Sequence, residues 1–380
     1  MNKNNELVSF LSDVNKLMNE SVYREISNTK DKLDYLLDNE AIREKICWVL
    51  PNIIDITEQL NLSQEEGHGK VYALSFPDVS PDINLKTPIF AGLFLLQVMQ
   101  GIINEKTEVI VEAGGINTGY GLKKLIEIFN LKGQLYTSRY FSERVLDELK
   151  ADNFNIIQPE AREDLALEEE FYVKFVEDLK ELRKNGNIAP LWHVKKSFMV
   201  AEILAEKMYS KNKNVFDDME YLITGMGSGG SLSAFCKILD ISSNKNLKII
   251  VPEHEKSPIL WDTYPKEDLS EMNIIDKNLN TDNFYNLNSK RVPHIVFGPH
   301  YEKINNKIPQ KYLDSIDGIS LYSDEEWKNI SSLLDGQNIS VGNSSSANLV
   351  IAKKLALKGK NIITFIYESK RKYSKALLND

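Results

Sequence analysis

The stretch Tyr221-Leu-Ile-Thr-Gly225-Met-Gly227-Ser228-Gly229-Gly230-Ser231 is an apolar run that breaks into a glycine-rich turn ahead of a helical segment. A strand is therefore expected, then a tight loop, then a helix. Glycines let the backbone approach a ligand closely, and the unpaired N–H groups opening the helix point at whatever sits there, most often a phosphate. The spacing also satisfies Gly-x-Gly-x-x-Gly, with Glu253 after the following strand in the place of a ribose-binding acid. A nicotinamide dinucleotide site, or a bare strand–helix turn, thus stays open as an alternative. A Walker loop does not, because no Gly-Lys-Ser/Thr follows.

The same texture extends outward. Short Val- and Ile-rich runs at 107–112, 133–138, 154–157, 219–224, 247–251 and 361–366 alternate with helix-period segments. Strands separated by helices imply parallel sheets covered on both faces, which is an α/β fold. The apolar run 87–103 is shorter than the roughly 20 residues that span a bilayer and carries Gln97 and Gln100, so it reads as a buried helix. Residues 1–50 are polar and charged, with Leu11, Val14, Leu17, Met18 and then Leu33, Leu36, Leu37 at helical spacing. They read as surface helices of an extension. The acidic helical stretch 161–184 is interrupted by Asn185-Gly-Asn-Ile-Ala-Pro190, which suggests a domain junction near 186.

The chain has 380 residues, with 46 Lys plus Arg against 55 Asp plus Glu and a net charge of −9. That balance excludes a nucleic-acid or anionic-membrane partner held by excess positive charge. A composition of 42% hydrophobic and 27% charged residues excludes wholesale disorder. Cys47 and Cys236 make neither a disulfide framework nor a four-cysteine metal site. Cys236 reads as a small buried apolar residue. No histidine pair has metal-ligand spacing; His193 reads as a structural hydrogen-bonder, and His68, His254, His294 and His300 as loop residues. The opening Met-Asn-Lys-Asn-Asn-Glu-Leu has no apolar signal core, so the cytoplasm is the expected location.

Two further loops could carry chemistry. Glu112-Ala-Gly114-Gly115-Ile116-Asn117-Thr118-Gly119 again runs from strand to helix, offering backbone N–H groups to a carboxylate and side-chain donors to a ligand oxygen. The plain alternative is that Asn117 or Thr118 caps a helix beginning near Tyr120. Ile339-Ser-Val-Gly342-Asn-Ser-Ser345-Ser-Ala347-Asn348 puts hydroxyls ahead of a helix over 349–357, where a cap is the plain reading. Lys86 stands at the mouth of the apolar helix expected from Thr87. Desolvation there would lower its pKa and make the amine nucleophilic.

In this order the four features resemble the fold-type II pyridoxal-phosphate enzymes, specifically the cysteine synthase and cystathionine β-synthase group, over residues 54–373. In that group a Schiff-base lysine is followed about thirty residues later by Ser-Gly-Asn-Thr-Gly, and here Lys86 is followed by Gly115-Ile116-Asn117-Thr118-Gly119. The group's phosphate cup, Gly-x-Gly-Thr-Gly-Gly-Thr, appears as Gly225-Met-Gly-Ser-Gly-Gly-Ser231, and its Gly-Ile-Ser-Ser-Gly-Ala loop as Gly342-Asn-Ser-Ser-Ser-Ala347. Smaller matches are Ser142-Glu-Arg144 with Leu149, Val251-Pro-Glu-His-Glu-Lys-Ser257-Pro258, and Tyr367-Glu-Ser-Lys-Arg-Lys-Tyr373 against the closing Asp-Ser-Gly-Glu-Arg-Tyr.

The resemblance implies two α/β domains, a smaller one over 84–185 and a larger one over 51–83 and 186–380, beside the helical extension 1–50. It implies pyridoxal 5'-phosphate as cofactor, a small amino-acid substrate and a homodimer. Lys86 would carry the cofactor as an internal aldimine and remove the substrate's Cα proton. Gly227, Ser228, Gly229, Gly230 and Ser231 would hold the phosphate, Asn117 the ring's 3' oxygen, and Gly114, Gly115, Ile116 and Thr118 the substrate carboxylate. Ser345 would face the pyridine nitrogen. A neutral hydroxyl there makes the ring a milder electron sink, suited to β-elimination or β-replacement through an aminoacrylate.

Departures fall on the substrate side. Thr87-Pro88 stands where the group has Asp-Arg, Gly115 replaces a serine, Ile116 replaces a glycine, and Gly298–Pro309 replaces a Gly-Ile-Gly-Ala-Gly-Phe-Ile-Pro segment. They point to a specialised enzyme acting on serine, an O-activated serine or cysteine. The rival readings are a dehydrogenase using Gly225–Gly230 and a regulatory protein that keeps the fold without turnover.

Overall fold

The computed structural model describes residues 5–80, 82–139, 141, 143–147, 149–160, 167–182, 187–258, 260 and 308–369. The segment Gly298–Pro309 up to residue 307, His294, His300, Ser142 and Tyr373 lie outside the described residues. The chain opens with helices α1 (Asn5–Met18), α2 (Ser21–Glu25), α3 (Thr29–Asp38) and α4 (Glu40–Ile46), followed by strands β1 (Asn52–Asp55) and β2 (Val71–Ser75). Next come α5 (Lys86–Met99), β3 (Val109–Ala113), α6 (Ile116–Phe129), β4 (Lys132–Tyr136), α7 (Glu143–Asp147), β5 (Phe154–Ile157), α8 (Leu167–Leu182) and β6 (Ile188–Pro190). Then follow α9 (His193–Lys211), α10 (Lys213–Asp217), β7 (Tyr221–Ile223), α11 (Gly230–Ile241) and β8 (Lys248–His254). The chain ends through α12 (Gln310–Leu313), β9 (Gly318–Tyr322), α13 (Asp324–Asp335), α14 (Asn343–Ala356) and β10 (Ile362–Ile366).

The described residues fall into two compact units. The first takes residues up to Leu50 and Asn84–Leu204; the second takes Pro51–Ile83 and the residues from Ala205 onward. The first contains a four-stranded, wholly parallel sheet in the order β5-β4-β3-β6. The second contains a six-stranded sheet in the order β1-β2-β10-β7-β8-β9, parallel except for the β1–β2 pair. The fold is α/β, as the alternation of elements requires. Continuous apolar strands go to the middle of the second sheet: all five residues of β10 are buried, as a strand covered on both faces must be. Ile188–Pro190 pairs with β3, so the short strand after residue 186 belongs to the four-stranded sheet.

Helix α5 is buried from Thr87 through Val98. The N-terminal helices pack on this helix and on α6. Phe10 of α1 meets Phe94 of α5 at 5.8 Å between ring centroids and Phe129 of α6 at 5.1 Å, while Phe94 and Phe129 stack at 4.5 Å. Leu7, Phe10, Leu11 and Val14 of α1 and Leu33, Leu36 and Leu37 of α3 are buried. The extension is therefore an integral layer of the first unit. Phe10 is only 1% exposed, so Phe10→Ala should lower stability by about 3–5 kcal/mol through lost burial and the cavity left behind. Urea denaturation reads this directly, with the exposed Lys16→Ala as the control that should not move the midpoint.

Candidate active site

In the first unit the local chemistry starts at Asn84. Its Oδ1 accepts from the backbone N–H of Lys86 at 2.7 Å and of Thr87 at 3.2 Å, while Thr87 Oγ1 accepts from Asn84 N–H at 3.2 Å. This reciprocal pair satisfies otherwise orphaned donors at the start of α5. It makes Lys86 the first residue of the helix, one position earlier than the sequence suggests. Asn84 is fully buried, and nothing in the pattern of the sequence marks it.

Lys86 keeps some accessible surface, but crowding around its amine pulls the pKa down to about 8, against an opposing pull from the Glu112 carboxylate. Glu112 is itself wholly buried near the end of β3. Its Oε1 accepts from Ala113 N–H and its Oε2 from His193 N–H, each at 2.9 Å, and His193 Nδ1 lies 3.4 Å from Oε1. Burial lowers the His193 pKa, with Glu112 working the other way and Lys86 adding to the fall. Tyr172 of α8 also feels Glu112: burial raises its phenol pKa and the carboxylate raises it further. His193 does act as a hydrogen-bonder, through its backbone. Glu112 stands two residues before the glycine loop, and no motif in the sequence singles it out.

That loop is shorter than expected. Gly115 is extended at the N-cap of α6, and Ile116 is already helical, so Asn117 and Thr118 lie in the first turn and not in a loop reaching Tyr120. The first-turn N–H groups of a helix lack intrahelical partners, so the donor set survives this change of boundary. Gly114, Ile116 and Thr118 are buried, whereas Gly115 is exposed. A Cβ on Gly115 would meet nothing nearer than Phe141 Cζ at 3.9 Å.

In the second unit the cup follows β7. Gly229 has φ +85°, a left-handed conformation that a side chain resists, and α11 begins at the next residue. The first turn of α11 carries no acidic residue. Backbone N–H groups of the glycine loop and of the first turn of α11 form a set that suits a phosphate dianion. Ser231 Oγ donates to the Gly225 carbonyl at 3.2 Å, closing the cup on itself.

The hydroxyl loop is also helical earlier than expected: α14 starts at Asn343, with Gly342 at its N-cap, so Ser345 sits in the first turn. A Cβ at Gly342 would come within 2.0 Å of Glu368 Oε1, which explains the glycine. Ser345 is fully buried, and its Oγ accepts from Tyr367 N–H at 3.0 Å. The hydroxyl hydrogen is left to donate, which fits the unprotonated nitrogen of a pyridine ring. Glu253, the acid a dinucleotide site would need, is 6% exposed and accepts from Leu260 N–H at 2.8 Å. Among the described residues no group of three His, Cys, Asp or Glu could hold a metal ion, and no helix is long and apolar enough to cross a membrane.

No protein-family model and no curated protein matches the chain. Solved structures do. O-acetyl serine sulfhydrylase isoform 3 from Entamoeba histolytica matches with a TM-score of 0.66 at 14% identity, over 88% of this chain and 90% of its own. A hydrogen sulfide-producing enzyme from Fusobacterium nucleatum matches with a TM-score of 0.63 at 21% identity, over 87% of this chain and 97% of its own. An O-acetylserine dependent cystathionine beta-synthase from Helicobacter pylori matches with a TM-score of 0.62 at 18% identity, over 87% of this chain and 96% of its own. The fold is that of the cysteine synthase group.

The depressed pKa of Lys86 has a direct readout. The neutral amine is the minor form below about pH 8 and the major form above it, so a 13C-dimethylated Lys86 resonance should titrate near pH 8. Assignment comes from the peak missing in Lys86→Arg; a midpoint near the ordinary lysine value would mean the amine is solvated.

Proposed function

We propose that the chain is a pyridoxal 5'-phosphate enzyme catalysing β-elimination or β-replacement on serine, an O-activated serine or cysteine. The observation that carries this reading is Lys86, an amine at the head of a buried helix with a pKa near 8, within the fold of the cysteine synthase group. When bound, the cofactor supplies an electron sink for cleavage of bonds at the substrate's Cα. Lys86 is the residue that would hold its aldehyde carbon and then take the Cα proton, for which a pKa near the working pH is required. Gly227–Ser231 would hold the phosphate, Asn117 the 3' oxygen, and the Ser345 hydroxyl would donate to the ring nitrogen. The N–H groups around Gly114, Gly115, Ile116 and Thr118 would bind the substrate carboxylate. The O-acetyl serine sulfhydrylase and the O-acetylserine dependent cystathionine beta-synthase support a substrate of this class, and the resemblance in sequence implies a homodimer. The buried, engaged Glu253 speaks against the dehydrogenase reading.

The test is spectroscopic. Incubation with pyridoxal 5'-phosphate should turn the protein yellow, and Lys86→Ala should give no reducible, covalently trapped cofactor after borohydride. A wild-type protein that stays colourless would end this reading. Adding serine, O-acetylserine or cysteine should shift the visible band and release pyruvate or a β-substituted product. A protein that takes up the cofactor but never turns over any of these amino acids is instead the regulatory relative that the altered carboxylate loop allows.

The room beside Gly115 yields a second expectation. Gly115→Ser places a hydroxyl at the exposed N-cap without a clash. It should lower the KM for the amino acid by about three- to tenfold, the worth of one added hydrogen bond to a carboxylate. Steady-state kinetics on the matched pair checks it.

A further inference from the structure

Tyr367 is buried directly after β10, and its two polar groups serve opposite parts of the second unit's candidate cofactor seat. Its backbone N–H donates to Ser345 Oγ at 3.0 Å. Its phenol oxygen accepts from Gly225 N–H at 3.1 Å and lies 2.8 Å from Thr224 Oγ1. Gly225 N–H also reaches Asn348 Oδ1 at 3.0 Å, while the Gly225 carbonyl accepts from the hydroxyls of Thr224 and Ser231, each at 3.2 Å. The first residue of the glycine cup is thus held on its N–H side by Tyr367 and Asn348 and on its carbonyl side by Thr224 and Ser231.

Packing alone does not call for a phenol here. The Tyr367 ring stacks on Phe365 at 5.6 Å, and Phe365 stacks in turn on Phe235 of α11 at 4.5 Å, a column that a phenylalanine would continue equally well. A hydroxyl removed from water is costly unless it is hydrogen-bonded, and this one is bonded to the two residues from which the cup departs. A flexible glycine loop gains most from such a fixed point, because pre-set donors need not be ordered when the ligand arrives.

We propose that Tyr367 is a positioning residue for the cofactor's phosphate: its phenol fixes Thr224 and Gly225 so that the N–H groups of Gly227–Ser231 converge on one anion, while its amide fixes the Ser345 hydroxyl. The proposal rests on the cofactor reading above. Because the two tasks use different atoms, they separate by mutation. Tyr367→Phe removes the phenol hydroxyl and keeps the amide.

The experiment compares pyridoxal 5'-phosphate with pyridoxal, which lacks the phosphate, by equilibrium dialysis and fluorescence quenching on wild type and Tyr367→Phe. The variant should bind pyridoxal 5'-phosphate about tenfold more weakly, the worth of one well-made hydrogen bond, with its affinity for pyridoxal and the wavelength of the bound visible band unchanged. Thr224→Val, which removes the phenol's partner at nearly constant volume, should repeat the phosphate-selective loss and serves if Tyr367→Phe does not fold. Equal weakening of both ligands would mean a merely structural role and would overturn the proposal, as would unchanged affinity for both. A wild type that binds neither ligand removes the cofactor reading itself, an outcome distinct from either of these.

Discussion

A carboxylate fully withdrawn from water sits near the end of a parallel strand, and the first unit is organised around tolerating it. An isolated buried charge costs several kcal/mol, and only dense hydrogen bonding and a nearby countercharge make it bearable. Glu112 has both: two backbone N–H groups, one from its own strand's end and one from the start of α9, and the charge of Lys86. The amine is affected in the other direction, since the same enclosure that makes Glu112 need a cation makes protonation of Lys86 less favourable than in water. Burial wins, as the downward shift of Lys86 records. Fold and reactivity are here one electrostatic problem, because the strand that must be covered to form the sheet delivers the charge that restrains the lysine.

The two units solve the donor problem in the same way. Each candidate loop leaves the carboxyl end of a parallel strand or precedes a helix that packs on one: Gly114–Gly115 between β3 and α6, Gly225–Gly229 between β7 and α11, Gly342 ahead of α14. Ligands of open α/β sheets gather at these edges because helix N-termini there present unpaired N–H groups. Neither first turn at α6 nor at α11 contains an acidic residue that would compete for those donors. The α14 turn adds the buried Ser345 hydroxyl, which suits a neutral ring atom better than an anion.

Much of this was legible in the residues. The runs at 154–157, 219–224 and 361–366 were recognisable as strands because β-branched and aromatic residues dominate them, and the glycine turn after Ile223 could hardly be anything else. Short strands were not: β6 is three residues ending in a proline, and the edge strand β1 is only partly buried, so neither shows a period. The starts of α6 and α14 are hard to place from sequence because Asn, Thr and Ser look like caps, while the extended residue at each N-cap is the glycine before them. The amphipathic stripe of α1 was visible, but burial runs through Leu7 and Phe10 rather than Leu17 and Met18, since the partner surface made by Phe94 and Phe129 is distant in sequence. Pairings such as Glu112 with His193 N–H and Tyr367 with Gly225 leave no local signature at all.

The departures from the cysteine synthase pattern gain meaning from where the structure has slack. At Gly342 a side chain would drive into Glu368, and at Gly114 it would come within 2.6 Å of Thr118 Oγ1, so neither position takes a Cβ unless those side chains shift. Gly115 is different: exposed, in ordinary backbone geometry, with open space where a Cβ would go. Nothing in the packing demands glycine there, so its missing hydroxyl is a chemical choice and not a steric one. Ile116 beside it is buried, which means its bulk is absorbed by the interior and is not presented as an obstacle at the surface of the loop. The turn from Gly114 to Thr118 therefore keeps its backbone donors while lacking a side-chain donor at its most exposed position, Gly115, where the packing leaves room for one.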